Sequence, residues 1–472
     1  MKASRREFIA ALAAAGGMSA IGAEKNQPNV LFIAIDDLND WVGCLGGNPD
    51  TKTPNIDRLA ARGVLFTKAY CSAPVCNPSR ASLMTGIRPS TSGVYENQQP
   101  MRESPVLKDA VTIPQHFMAH GYTATGGGKI YHGAFPDPPS WQAYFPSQQQ
   151  NQPSNPKPEN TPVNGFPKTG HFDWGPLDHP DSDMGDFKTV DWVSAELKKD
   201  HDKPFFLACG IYKPHLPWYV PQKYFDMFPP DKITLPRGKD DDLDDIPKIG
   251  KWLALRSGDH KKILEHGAWR KAVQGYLASI AFADAQIGRV VDALDSSPYA
   301  KNTVIVLWSD HGWSLGEKEH WRKFALWEET TRNVFTITAP GITTPGSRCD
   351  RVVSLLDVYP TLIDICGLSK RISLEGVSLM PLLKDPSAKW ERPAVTTYLR
   401  GNHSVRSERW RYIRYNDGGE ELYDHSNDPL EWTNLANKPE TSKIKTELAK
   451  WLPKVNAPDS PLRKGTGKEN PD

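Results

Sequence analysis

Beyond its first two dozen residues, the 472-residue sequence has no apolar run long enough to cross a bilayer, so no later membrane span is expected. A charge of one sign is missing as well: 57 Lys and Arg against 56 Asp and Glu leave +1. Nothing in that balance argues for nucleic acid or an anionic membrane as a partner. Cysteine is sparse, with six residues scattered at 44, 71, 76, 209, 349 and 366. They form neither a disulfide framework nor a zinc spacing, and a bridge from Cys71 to another cysteine after export stays open. What is present is ordinary globular composition, 38% hydrophobic and 24% charged.

The amino terminus carries Lys2, Arg5 and Arg6, a short apolar stretch from Phe8, and small residues as far as Ala23. It is too short for a membrane span and reads as a cleaved export signal over residues 1–23, placing the mature protein in the periplasm or outside the cell. Ser4-Arg5-Arg6-Glu7-Phe8 looks like a twin-arginine signal, which exports folded proteins. An uncleaved N-terminal anchor is the alternative.

The most reactive-looking stretch is Cys76-Asn77-Pro78-Ser79-Arg80. Asn77 is a good helix cap and Pro78 is tolerated in a first turn, so a helix is predicted over residues 79–85. Its free N–H groups and positive dipole end would face whatever sits on Cys76, and Arg80 adds a permanent forked cation. That setting suits a negatively charged tetrahedral group. Alone, a cysteine at a helix start is more often a small buried side chain than a nucleophile.

Two apolar runs end in acids. Residues 29–37, NVLFIAIDD, read as a buried central strand delivering Asp36 and Asp37 at its carboxyl end. Adjacent carboxylates repel unless a positive charge lies between them, and a hard cation such as Ca²⁺ or Mg²⁺ is the simplest one. A solvated turn is the alternative for this pair alone. Residues 303–309 form a second such strand, running into Asp310-His311-Gly312. Ligands in open α/β sheets gather at strand carboxyl ends, so both acid clusters belong to one face. Lys129 and His132 follow a short strand over residues 122–125, Lys213-Pro214-His215 follows one over residues 205–212, and Lys323 closes Glu319-His320-Trp321-Arg322-Lys323.

Together these residues carry a resemblance. Cys76-Asn77-Pro78-Ser79-Arg80 matches the Cys-x-Pro-Ser-Arg signature of type I sulfatases, and Ala81-Ser82-Leu83-Met84-Thr85-Gly86 matches its extension. The order Asp36-Asp37, Cys76, Lys129, His132, His215, Asp310-His311, Lys323 follows that family through roughly residues 28 to 436. Lys213-Pro214-His215 and Ser309-Asp310-His311-Gly312, with His where many sulfatases place Asn, resemble the iduronate-2-sulfatase branch most.

The resemblance implies an α/β, alkaline-phosphatase-like fold: a large mixed, mostly parallel sheet flanked by helices, with a smaller C-terminal subdomain containing an antiparallel sheet. It implies that a formylglycine-generating or anaerobic maturation enzyme oxidises Cys76 to formylglycine, whose hydrate offers oxygen to Ca²⁺ where a soft thiolate would be a poor ligand. A twin-arginine route would let that happen in the cytoplasm first. Asp36, Asp37, Asp310 and His311 are then the metal ligands, with the derivative of Cys76. One hydroxyl attacks sulfur while Arg80, Lys129 and Lys323 neutralise sulfate oxygens. His215 is the candidate acid for the departing sugar oxygen, and His132 the base that releases sulfate.

Elsewhere, helices are predicted over residues 54–63, 112–120, 272–294 and 354–368, with a further strand over 333–339. Residues 133–186 read as a long, partly ordered loop at the substrate entrance, or a surface insertion. The Asp240–Asp245 run reads as a solvated acidic loop. After about Pro386, short alternating segments at 409–415 and 420–423 suggest antiparallel strands, and the tail beyond Pro458 is expected to be loose. The expected division is a catalytic domain over residues 24–386 and a C-terminal subdomain with a polar tail over residues 387–472. Glu96, Asn97, Trp218, Trp313, Trp321 and Arg322 are candidate sugar contacts. Three readings follow: a sulfatase acting on a sulfated oligosaccharide, with uronic acid 2-O-sulfate suggested by the nearest branch; a phosphonate monoester or phosphodiester hydrolase; or a non-catalytic glycan-binding relative.

Overall fold

The first acid-tipped run forms the strand Asn29–Ile35, buried throughout, at the middle of a nine-stranded sheet. A computed structural model describes residues 27–167 and 171–463; the expected export signal lies outside them. Asn29–Ile35 is flanked in parallel by Phe205–Ile211 and Thr303–Ser309, and Thr123–Gly128 runs parallel beyond Phe205–Ile211. On the other side Phe335–Thr338 is antiparallel to both Thr303–Ser309 and Val64–Tyr70. The sheet is therefore mixed and mostly parallel.

The continuous apolar runs have a direct cause. Side chains alternate across a strand, and both faces here are covered. Leu31, Ile33 and Ile35 point into one apolar cluster with Ile305 and Leu307, whereas Val30, Phe32 and Ala34 point into another with Val304, Val306 and Trp308. The long helix Trp269–Asp295 and the helix Gly185–Glu196 cover the first face; Cys76–Thr85, Ile113–Ala119 and Val358–Ile365 cover the second. Truncating a fully buried aromatic such as Phe32 in this double-sided core would cost about 3–5 kcal/mol.

A four-stranded antiparallel sheet follows, in the order Ala394–Thr397, His403–Arg406, Trp410–Arg414, Glu420–Asp424, with the helix Ser442–Ala449 packed on it. Arg411 ties this sheet to the larger one: buried, it donates to the Leu326 carbonyl at 3.0 Å and Ser404 Oγ at 2.8 Å, and it pairs with Glu328 and Glu431.

Several expectations need correction. The region over residues 133–186 holds short strands at Ala143–Phe145 and Trp174–Leu177, the second paired with Trp218–Pro221. Asp242 is buried against Lys318 at 2.6 Å, so the acidic run is not wholly solvated. The tail is anchored as far as Arg463, because Ala457, Ser460 and Arg463 donate backbone N–H groups to Ser90, Gly93 and Gln98 carbonyls. All six cysteines are free. No described helix is long and apolar enough to cross a membrane.

Candidate active site

Four adjacent parallel strands deliver most of the polar residues from their carboxyl ends: Asp36 and Asp37, Asp310 and His311, Lys213 and His215, and Lys129. Asp37 takes a left-handed backbone conformation, φ 60, which aspartate tolerates better than most residues. Its N–H donates to Asp310 Oδ1 at 3.1 Å, and the next N–H, of Leu38, donates to Ser309 Oγ at 3.0 Å. The turn thereby folds one acid pair onto the other.

Cys76 opens a helix that packs on the face of the sheet carrying Val30, Phe32 and Ala34. The helix spans Cys76–Thr85, with Val75 at its N-cap and Gly86 closing it at φ 73. Asn77 is therefore not the cap that its type suggests. It lies inside the first turn and its side-chain amide donates to the carbonyls of Glu96 and Gln99, at 3.0 and 2.6 Å. Ser79 Oγ donates to the Asp310 carbonyl at 2.5 Å, locking the helix start to the second acid turn.

At the junction, Cys76 Sγ lies 3.2 Å from Lys323 Nζ, 3.3 Å from His311 Nε2, and 3.8 Å from both Lys129 Nζ and Asp37 Oδ1. Arg80 bridges the acids, donating Nη2 to Asp36 Oδ1 and Nε to Asp310 Oδ2, each at 2.9 Å. Lys129 pairs with Asp36. Lys323 reaches Asp37 Oδ1 at 3.1 Å, and His215 Nε2 is 3.8 Å from Asp37 Oδ2. Lys323 comes from outside the large sheet, just after the two-residue strand Trp321–Arg322.

Burial and charge act in opposition on these groups. Burial works against a Cys76 thiolate, yet Lys129 and Lys323 outweigh it and bring the thiol pKa down. Burial would raise Asp36, but Lys129 and Arg80 hold its carboxyl well below the usual range. Asp37 goes the other way: burial, only partly offset by Lys323, pushes it up to about 7. Burial would also lower His311, but Asp310 and Cys76 carry it up to about 9. Burial, reinforced by Lys129 and Lys323, brings His132 down to about 3 and His215 well below its ordinary value.

The donor set fits a hard divalent cation. Ligand atoms of Asp37, Cys76, Asp310 and His311 lie within 4.8 Å of one another, and so do those of Asp36, Asp37, Cys76 and His215. His311 Nδ1 faces the Gly312 carbonyl at 3.0 Å. That contact turns Nε2 toward the acids, the usual orientation of a metal-binding imidazole.

Every residue singled out for chemistry thus comes to one place except His132, which is placed by its neighbours. Its Nδ1 is buried with no hydrogen-bond partner among the described residues, and its pKa responds to Lys129 and Lys323. The guessed sugar contacts fare differently. Trp218, Trp313 and Trp321 are buried in the apolar cluster beneath the site, and Arg322 is buried against Asp259 at 2.7 Å. Two residues without an assigned part in the sequence reading belong here. Lys213 Nζ donates to the His215 carbonyl at 3.2 Å and to that of Pro217, fixing the loop that carries His215. His171 stacks its ring on His215, centroids 5.9 Å apart and planes at 16°. His171 sits in a stretch without periodicity, so no sequence pattern could have revealed it.

A family model described as Sulfatase matches residues 28–368, and one described as N-sulphoglucosamine sulphohydrolase, C-terminal, matches residues 316–457. The chain belongs to the sulfatase family. A protein named Sulfatase from Formosa agariphila is 40% identical to this sulfatase over 454 residues, covering 92% of this chain and 88% of its own. Iduronate 2-sulfatase of Mus musculus is 32% identical over 415 residues, covering 76% of this chain and 72% of its own. A solved structure of a 2-O GAG sulfatase has a TM-score of 0.70 at 26% identity, covering 89% of this chain and 90% of that one. This sulfatase is a sulfuric ester hydrolase, the first of the three readings of the sequence.

Proposed function

We propose that the enzyme removes a sulfate ester from a saccharide, with the 2-O position of a uronic acid as the preferred site, in the periplasm or outside the cell. The observation that carries this reading is Cys76 Sγ set between Lys323 and Lys129 at a helix start, beside four converging metal-ligand side chains. Similarity to iduronate 2-sulfatase and to a 2-O GAG sulfatase supports the choice of position.

Asp36, Asp37, Asp310 and His311 would hold Ca²⁺. With Cys76 oxidised to formylglycine by a maturation enzyme, that group supplies a hydrate oxygen as nucleophile and the ion supplies charge for the sulfate oxygens. The remaining work falls to the side chains. Arg80, Lys129 and Lys323 present fixed positive charge in a site closed to water, where it acts more strongly on developing negative charge. Lys323 and Lys129 flank position 76 and so orient the sulfur that it attacks. His215 presents Nε2, because its Nδ1 donates to the Leu216 carbonyl at 2.6 Å; Nε2 is bare in the neutral ring, so to act as the acid toward the departing sugar oxygen it first takes up a proton there, beside Asp37 Oδ2 at 3.8 Å. His132 takes the proton whose loss frees the sulfate.

The test is a desulfation screen over defined oligosaccharides that differ in sulfate position and uronic acid, using protein co-produced with a maturation enzyme. Sulfate release led by 2-O-sulfated uronic acids is expected. Release confined to amino-sugar sulfates would overturn the position, and turnover of aryl phosphonates with no saccharide turned over would overturn the substrate class.

A further inference from the structure

One cation beside the site has no acid to neutralise it. Arg256 ends the helix Lys248–Leu255, where the carbonyl end of a helix favours positive charge. Its guanidinium lies 5.0 Å from the ring of Trp252, 5.3 Å from that of Phe324 and 5.5 Å from that of Tyr398. It also donates to the Tyr398 hydroxyl. Rings and hydroxyl fix the fork in place without cancelling its charge, and among the described residues Arg256 forms no ion pair. Glu96 feels this charge without forming an ion pair with it: burial and the neighbouring Asp459 raise its pKa, and Arg256 lowers it.

The position relative to the reacting atom is set on two sides. Phe324 follows Lys323 directly, and the Lys323 ammonium lies 5.7 Å from the Phe324 ring, so the two cations share one ring between them. Glu96 precedes Asn97, whose Oδ1 accepts from the Asn77 N–H at 2.9 Å, one residue from Cys76. Arg256 is thus linked to position 76 through the Phe324 ring and Lys323, whose ammonium lies 3.2 Å from Cys76 Sγ. Beside it, Trp252 is 50% exposed, an apolar aromatic surface open to solvent next to the cation.

We infer that Arg256 binds a second anionic group, a carboxylate or a sulfate, on a saccharide whose scissile sulfate lies at Cys76, so the substrate is at least doubly charged. This rests on the saccharide reading above. A planar fork with no acid partner matches either oxyanion through paired N–H donors.

The test compares kcat and KM of wild type and Arg256→Gln on four substrates: a disaccharide with a 2-O-sulfated uronic acid and a second sulfate, its carboxyl-reduced form, its singly sulfated form, and an aryl sulfate. With Arg256→Gln, kcat/KM on the full disaccharide falls about tenfold or more, mainly through KM, against at most about twofold on the aryl sulfate. Whichever form loses its dependence on Arg256 identifies the anion bound: the carboxyl-reduced form for a carboxylate, the singly sulfated form for a second sulfate. Arg256→Lys recovers part of the loss. A measurement on wild type alone guards against a misfolded variant: its preference for the full disaccharide over the form lacking the bound anion shrinks as salt is raised. Equal losses on all four substrates, or a wild-type preference blind to both salt and the second anion, overturns the inference alone. Wild-type hydrolysis of the aryl sulfate with no saccharide turned over overturns the saccharide reading and this inference with it.

Discussion

Arg80 Nε and Asp310 Oδ2, 230 residues apart in sequence, meet at 2.9 Å with both side chains fully buried. This contact joins the helix that carries Cys76 to the turn that carries His311. The proposed nucleophile and the proposed ligand cluster are therefore one rigid unit, and disturbing either half should be felt by the other.

Cys76→Ala removes the proposed nucleophile and leaves Lys129, Lys323 and Arg80 paired with Asp36, Asp37 and Asp310. Turnover of any sulfate ester should fall by on the order of 10³-fold or more, with the melting temperature changed by only a few degrees. Retention of a substantial share of the wild-type rate would contradict a nucleophile at this position.

Chelation should suppress turnover, and added Ca²⁺ should restore it. An ion bound only by the folded chain also stabilises it by mass action, so EDTA should lower the melting temperature as well. A protein whose activity and unfolding both ignore EDTA has no such ion.

Replacing Arg411 with Met takes one buried partner from each of Glu328 and Glu431, which keep Arg406 and His425. A loss of about 1–3 kcal/mol in urea unfolding is expected, and adding Glu431→Gln should recover part of it. A loss below about 1 kcal/mol would mean that the two sheets are held together by other contacts.

Acid should destabilise the protein through two neutral imidazoles. Burial brings both His116 and His403 down from 6.5 to about 4 in the folded state. Between those values the unfolded chain takes up protons that the fold refuses. The stability they allow is therefore complete above pH 6.5 and is lost as the pH falls toward 4. For the fully buried His403 this amounts to up to about 3 kcal/mol. Unfolding curves from pH 7 to pH 4 measure it, and His403→Gln should flatten the slope.

Strands were the most legible part of the sequence, for a physical reason. Asn29–Ile35 and Thr303–Ser309 are buried on both faces, so their apolar runs are unbroken and end where the acids begin. The order of motifs then supplied the site. Less legible were features decided by distant partners. Asn77 has the chemistry of a helix cap, but carbonyls at Glu96 and Gln99 claim its side chain. Trp174–Leu177 is a strand only because Trp218–Pro221 lies beside it. Trp218, Trp313 and Trp321 resembled sugar platforms because indole serves equally in a core, and only packing distinguishes the two. Lys213 was visible as a cation, but its donation to the carbonyls that shape the His215 loop was not.

The complete burial of Cys76 sets an order of events. A macromolecular catalyst that alters this thiol must meet it on an open chain, since the closed protein presents no surface there to grip. Were Cys76 converted as proposed, each molecule would leave synthesis either converted or not. The specific activity of a preparation would accordingly record the conditions under which it was translated, and prolonged incubation of purified protein with the maturing catalyst would leave it where it began.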